Sequence, residues 1–161
     1  MRAVYKIVMV SLILGGIIWN IFLPKIAKFE KSLFLYLKIM LGIGFSLLLL
    51  IFIFCNFIIT NIFGMNYLPA VEVLKILAFN VFLVYVSVAF VSPIMLWNEK
   101  KYFLAIGAGG ITNVIFNFLL IPKYDIIGAS IATVLAEVAV FLVGIIIFTR
   151  IFKENYRRTV V

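Results

Sequence analysis

An all-α, polytopic membrane protein is the fold class this sequence predicts, and three observations predict it. Hydrophobic residues make up 66% of its 161 residues and charged residues 12%, whereas a soluble domain runs near about 45–50% and about 25%. Mean hydropathy is +1.30, so there is too little polar surface to cover a water-facing globule. The apolar residues gather into runs of about twenty, the length that crosses about 30 Å of hydrocarbon as a helix rising about 1.5 Å per residue. Spanning strands would alternate in polarity and come in shorter segments.

Five spans are predicted within a single membrane domain over 1–161: 4–22, 39–62, 73–97, 102–121 and 126–149. Between the first two, the segment 23–38 holds Lys25, Lys28, Lys31 and Lys38 against one acid, Glu30. Its apolar residues Ile26, Phe29, Leu33 and Leu37 repeat at helical spacing, which predicts an amphipathic helix lying on the cytoplasmic membrane surface. The connection 64–70 carries no charge, 98–101 carries Lys100 and Lys101, and 122–125 is net neutral. The last of these is short enough to make the final two spans an antiparallel hairpin. The tail 150–161 is basic, with Arg150, Lys153, Arg157 and Arg158. Ten of the fourteen basic residues thus fall on one side, and the positive-inside rule makes that side the cytoplasm. The N-terminus and the connections 64–70 and 122–125 are then expected outside, although Arg2 and Lys6 sit near that N-terminus.

Several function classes are disfavoured. With one cysteine and no histidine, neither an intrachain disulfide nor a Cys/His zinc site is available, and no metal-ligand spacing occurs. Cys55, inside an apolar run, reads as a small packing residue. The net charge of +8 comes from residues between the spans, not from a polar basic face of the kind nucleic acid needs. There is no phosphate-cradling glycine loop and no acid/base pair. No enzyme activity and no cofactor are expected.

Candidate site residues are the polar groups at membrane depth, where ionisable side chains default to a functional hypothesis. Glu137 lies near the middle of the fifth span, where a carboxylate must be paired, protonated or water-exposed. Ala129, Thr133 and Glu137 share one face; beside it Gly128, Ala132 and Ala136 form a small-residue seam that allows close helix approach. In the fourth span Ala105, Gly109, Asn113 and Asn117 share a face. The asparagines either bond across to a neighbouring helix or line a transport pathway. Lys6 either lines a cavity or snorkels to the outer interface. At the outer end of the third span, Glu72 and Lys75 stand at i, i+3 and are expected to pair.

The stretch from Asn113 and Asn117 through "LIPKYDIIGASIATVLAE" resembles a segment of the polysaccharide-transporter branch of the multidrug/oligosaccharidyl-lipid/polysaccharide flippase superfamily. There the pattern tends to be N-x(3)-N-x(2)-LIP-x-YG-x(2)-GAA-x-AT-x(3)-E. "AVYKIV", with its helix ending at Leu23-Pro24, "IFGMNYLPAVEVLKILAF" and "PIMLWNEKKYF" resemble other pieces of that family in the same order. Asp125 departs from it, standing where the family commonly has Gly.

The resemblance implies a partial C-terminal lobe of a MATE-like transporter fold, equivalent to helices eight to twelve of a twelve-helix parent, though fourteen-helix members also exist. It implies alternating-access translocation of undecaprenyl-pyrophosphate-linked oligosaccharide, an O-antigen, capsule or exopolysaccharide repeat unit, across the bacterial inner membrane. Lys6, Asn113, Asn117, Thr133 and Glu137 become the substrate-cavity candidates. The implied partners are the lipid bilayer, the lipid-linked oligosaccharide, and a missing N-terminal lobe or other polysaccharide-assembly membrane proteins. Two other functions stay open: a small membrane module that oligomerises or binds another envelope protein, and a multidrug or other small-molecule exporter of the same superfamily. A sugar-lipid enzyme is disfavoured by the short outward connections.

Overall fold

The computed structural model describes residues 2–26, 30–68 and 70–160, with side chains described over 8–26, 32–61, 64–68 and 70–154. Among them every regular element is helical: α1 (Arg2–Ile26), α2 (Glu30–Ile58), α3 (Ala70–Trp97) and α4 (Glu99–Val160). All four contain a window long and apolar enough to cross a membrane.

The surface helix expected over 23–38 is not a separate element. Residues 23–26 finish α1, which runs on through Pro24, and residues 30–38 are the first turns of α2. The pattern was periodic for another reason. Of the expected stripe, Ile26 and Leu33 are buried against the rest of the bundle, Leu37 is half-buried and Phe29 lies outside the described residues, so the described part of the stripe faces protein.

Beyond Ile58, α2 passes into a π-helical turn, Ile59–Phe63, and stops at Gly64. There φ is 90°, a conformation open to glycine and strained for other residues. A 3₁₀ turn over Met65–Tyr67 leads to α3. The α3–α4 junction is tighter than the 98–101 turn expected: Asn98 alone lies between them, and its Oδ1 accepts the Lys101 amide at 3.0 Å, an N-cap for α4.

α4 counts as one helix of 62 residues, with non-helical angles at Asp125 (φ 50°, ψ −120°). It nevertheless folds back on itself. Straight, Gly109 and Val140 would lie about 46 Å apart, yet a Cβ on Gly109 would overlap the Val140 side chain. A Cβ on Gly128 would stand 2.6 Å from the Leu120 carbonyl carbon. The two arms, 99–124 and 126–160, are therefore antiparallel, and the break falls within the expected turn. The seam is buried as its composition required: Gly128, Ala132 and Ala136 all face inward.

α3 is the central helix. It packs on α1, α2 and α4, and 56% of its apolar window is buried, against 17–22% for the other three helices. Two tyrosines tie it in. Tyr85 donates from its hydroxyl to the Ser11 carbonyl of α1 at 2.6 Å, and Tyr36 of α2 donates to the Val88 carbonyl at 3.3 Å. Gly44 leaves room for Tyr85, whose Cβ would lie 2.6 Å from an added methyl. Cys55 is buried in the same core.

The two ends of the bundle differ. One gathers the end of α1, the start of α2 and the ends of α3 and α4, joined by contacts such as Trp19–Tyr36, Phe34–Phe152 and Trp97–Phe148. The basic residues Lys25, Lys38, Arg150 and Lys153 belong to these same segments, and Lys100 and Lys101 to the first turn of α4, which follows directly on α3. Gly64 and Asp125 mark the opposite end.

Candidate functional site

The site grows from the face of α3 that α1 and α4 leave half-covered. Val84, Val88 and Ser92 recur every four residues and form the floor of a furrow. On one side lies a cavity of about 600 Å³ between α3 and both arms of α4, lined by Ser87, Asn113, Thr133 and Glu137 among apolar neighbours. On the other lies a cavity of about 290 Å³ beneath α1, lined by Leu12, Gly15, Gly16, Trp19 and Met95. Val84, Val88, Ser92 and Tyr102 line both, so the two cavities adjoin along this furrowed face of α3.

Paired glycines build each wall. Gly15 sits against the Tyr85 ring, 3.4 Å from an added Cβ, while Gly16 would meet nothing within 4 Å. Likewise Gly109 packs on Val140 and Gly110 is open. In each pair the first glycine allows helix contact and the second leaves furrow space.

Asn113, Thr133 and Glu137, three of the five cavity candidates, come together in the larger cavity. Asn117 is not among its lining residues; its Nδ2 donates to Asn113 Oδ1 at 2.8 Å along the same arm. That bond fixes the Asn113 amide orientation and leaves its Nδ2 hydrogens for a ligand. The side chain of Lys6 lies outside the described residues. Thr133 donates to the Ala129 carbonyl at 2.9 Å, which leaves its hydroxyl oxygen free to accept. Ser87, 2% exposed, lies 3.5 Å from the Glu137 carbonyl oxygen and joins α3 to the second arm. The cavity thus offers hydroxyl, amide and carboxyl groups on apolar walls.

Glu72 and Lys75 do not pair. The Lys75 ammonium lies over the Phe52 ring at 5.7 Å, because α2 offers an aromatic face within reach. The sequence pointed to neither Ser87, Ser92 nor Tyr102. Serines at i and i+5 just before Pro93 were the available signal, but they lie in a helix that is apolar on all sides.

Comparison with known proteins adds a class. Two membrane proteins of the archaeon Methanocaldococcus jannaschii match. One, the uncharacterized membrane protein MJ1068, is 33% identical over 129 residues, covering 78% of this chain and 24% of its own length. The chain is a multi-pass helical membrane protein. The other, the uncharacterized membrane protein MJ1375, is 38% identical over 55 residues, 34% of this chain and 13% of its own. The chain therefore spans about a quarter of the length of the first relative. No family model and no solved structure matches.

Proposed function

We propose that the chain is part of a flippase for lipid-linked oligosaccharide, with five membrane crossings, its basic end in the cytoplasm and the Asp125 turn outside. One observation supports this most: a cavity of about 600 Å³ at membrane depth, lined by Asn113, Thr133, Ser87 and Glu137. Hydroxyl, amide and carboxyl groups on apolar walls are what a sugar needs, since each hydroxyl both donates and accepts. The hairpin of α4 supports five crossings, since each arm is long enough to span. The family pattern around Asn113, Asn117 and Glu137 supports the oligosaccharide class. Both matched relatives are archaeal, so the membrane proposed is the cytoplasmic one, without commitment to a bacterial envelope.

Alternating access needs two halves rocking about a midplane site, and this furrow is one wall of such a site. Transport is therefore proposed for the assembled transporter, and binding for the chain itself. The test is titration of the purified chain in nanodiscs with a polyprenyl-pyrophosphate disaccharide. Saturable binding is expected, weakened at least about tenfold by Gly110→Phe, which fills the larger cavity, and by Glu137→Gln with Asn113→Ala, a loss of about 1.4 kcal/mol. Non-saturable uptake, or binding indifferent to these changes, would sink the proposal.

A further inference from the structure

We propose that the lipid-facing groove between the start of α2 and the end of α4 binds the headgroup of an anionic phospholipid through Lys38, Arg150 and Lys153. The site lies away from the furrow and does not depend on the proposed function.

The groove is made by a contact between residues far apart in the chain. Phe34 of α2 meets Phe152 of α4 edge-on, with ring centroids 6.2 Å apart. One side of this contact faces the bundle, since Leu33 beside Phe34 and Phe148 one turn before Phe152 are buried. The other side faces lipid. There Leu35 is exposed, as are Lys38, Thr149, Arg150 and Lys153. Lys38 follows Phe34 by one turn and shares its flank of α2. Thr149 and Arg150 stand four and three residues before Lys153 and share a flank of α4.

The cations also share a depth. The start of α2 and the end of α4 enter this end of the bundle in opposite chain directions. At about 1.5 Å per residue, Lys38 lies about 6 Å deeper than the ring pair, Arg150 about 3 Å deeper and Lys153 about 1.5 Å shallower. Long basic side chains span such differences by snorkelling. Lys38 directly precedes the apolar run 39–62, and Arg150 directly follows the run 126–149. The cluster therefore stands at the edge of the hydrocarbon, where phospholipid phosphates lie.

Charge decides the occupant. Glu154 is the one acid among the described side chains of 32–38 and 149–154, which leaves an excess of two positive charges. An unpaired cation at the hydrocarbon edge is costly, and a phosphodiester offers lysine and arginine charge-assisted hydrogen bonds. The Thr149 hydroxyl is turned to its own helix, donating to the Ile145 and Ile146 carbonyls at 2.9 and 3.0 Å, so recognition falls to charge. Phosphatidylcholine carries its phosphate beside a cation that this cluster repels, whereas phosphatidylglycerol does not. Deeper on the same flank, Ile146 and Leu142 follow Arg150 at four-residue steps, both exposed, and give the acyl chains an apolar wall.

The test is native mass spectrometry of the full chain released from nanodiscs of equimolar phosphatidylglycerol and phosphatidylcholine. Each basic residue near a membrane surface contributes a factor of about five, so retained phosphatidylglycerol should exceed phosphatidylcholine at least about tenfold. Lys38→Gln with Lys153→Gln should bring the ratio within about threefold of parity. Lys38→Arg with Lys153→Arg should keep it, which separates charge from misfolding. Lys100→Gln with Lys101→Gln removes equal charge from the same end of the bundle, but beside Tyr102 and the furrow. That pair should leave the ratio within about threefold of the unmodified chain. Equal retention of the two lipids would overturn the site. So would equal losses in the two glutamine pairs, which would show a diffuse basic surface. Displacement of phosphatidylglycerol by excess inorganic phosphate would assign the groove to free phosphate and refute the commitment to a lipid.

Discussion

Gly109→Ala tests the hairpin most sharply, because both sides of the contact are defined. The added methyl would overlap Val140 Cγ2 and stand 3.2 Å from the Ala136 carbonyl oxygen. Val140 is β-branched and held to essentially one rotamer in a helix, so it does not swing aside. Backbone closes the other direction. Overpacking of this kind costs about 1–3 kcal/mol, while replacing glycine by alanine within a helix returns up to about 1 kcal/mol. The single substitution should therefore lose about 0–2 kcal/mol, a range too wide to decide anything alone. The decisive measurement is the cycle with Val140→Ala, which vacates the volume the new methyl needs. Val140 is only 9% exposed, so its truncation alone should cost about 1–2 kcal/mol. In the double variant each change relieves the other, and the coupling should reach at least about 1 kcal/mol, within the about 0.5–3 kcal/mol seen for residues in contact. Equilibrium unfolding of the purified chain in mixed micelles, followed by the fluorescence of Trp19 and Trp97, reads all four corners. Additivity within about 0.5 kcal/mol would mean that the arms do not touch here, and the folded-back geometry of α4 would fall with it.

Other consequences follow from single residues. Asp125 holds φ 50°, where a non-glycine residue carries about 1–3 kcal/mol of strain. Asp125→Gly should therefore stabilise the chain by about 1 kcal/mol in the same assay and Asp125→Ala should not; equal effects would remove the strain argument. Tyr85→Phe deletes the 2.6 Å bond to the Ser11 carbonyl. A cost of about 0.6 and at most about 1.7 kcal/mol is expected, with faster amide exchange in α1 as the accompanying sign. Cys55 is 1% exposed, so a membrane-permeant maleimide should modify it only on unfolding; rapid labelling of the folded chain would contradict the core packing.

The features legible in the sequence were those written in length and spacing. Spans of about twenty apolar residues can only be helices at this hydropathy, and the Gly128–Ala132–Ala136 seam identified which face of the second arm must be buried. The 122–125 turn was readable because proline, lysine, tyrosine and aspartate interrupt two long apolar runs. The amphipathic pattern of 23–38 misled, because period alone does not say whether an apolar stripe meets lipid or protein. Ile26 and Leu33 resolved it by burying against neighbouring helices. The furrow was illegible for a related reason. α3 is apolar all round, so nothing in its pattern marks which side α1 leaves open. The walls are made by absence, at Gly16 and Gly110, and absence of a side chain has no periodic signature until two helices are placed around it.

The balance of charge in the furrow says how the head should be held. Its described lining includes one carboxylate, Glu137, and no lysine or arginine. A pyrophosphate gains nothing from such a lining, whereas sugar hydroxyls bond to Asn113, Thr133 and Ser87 without a counter-charge. Contacts of that kind, sheltered from solvent, are little affected by salt, while attraction between separated charges is screened within about 8–10 Å at physiological ionic strength. Raising the salt from about 0.05 to about 0.5 M should therefore shift the Kd of the polyprenyl-pyrophosphate disaccharide by less than about threefold, and Lys6→Ala should change it no more than that. The same polyprenyl pyrophosphate without its sugars should bind at least about tenfold more weakly, a difference of about 1.4 kcal/mol. A steep salt dependence together with a tenfold loss in Lys6→Ala would reverse the assignment: the pyrophosphate, held by Lys6, would then be the recognised group, and the Asn113–Glu137 cavity would be its sugar-tolerant surroundings.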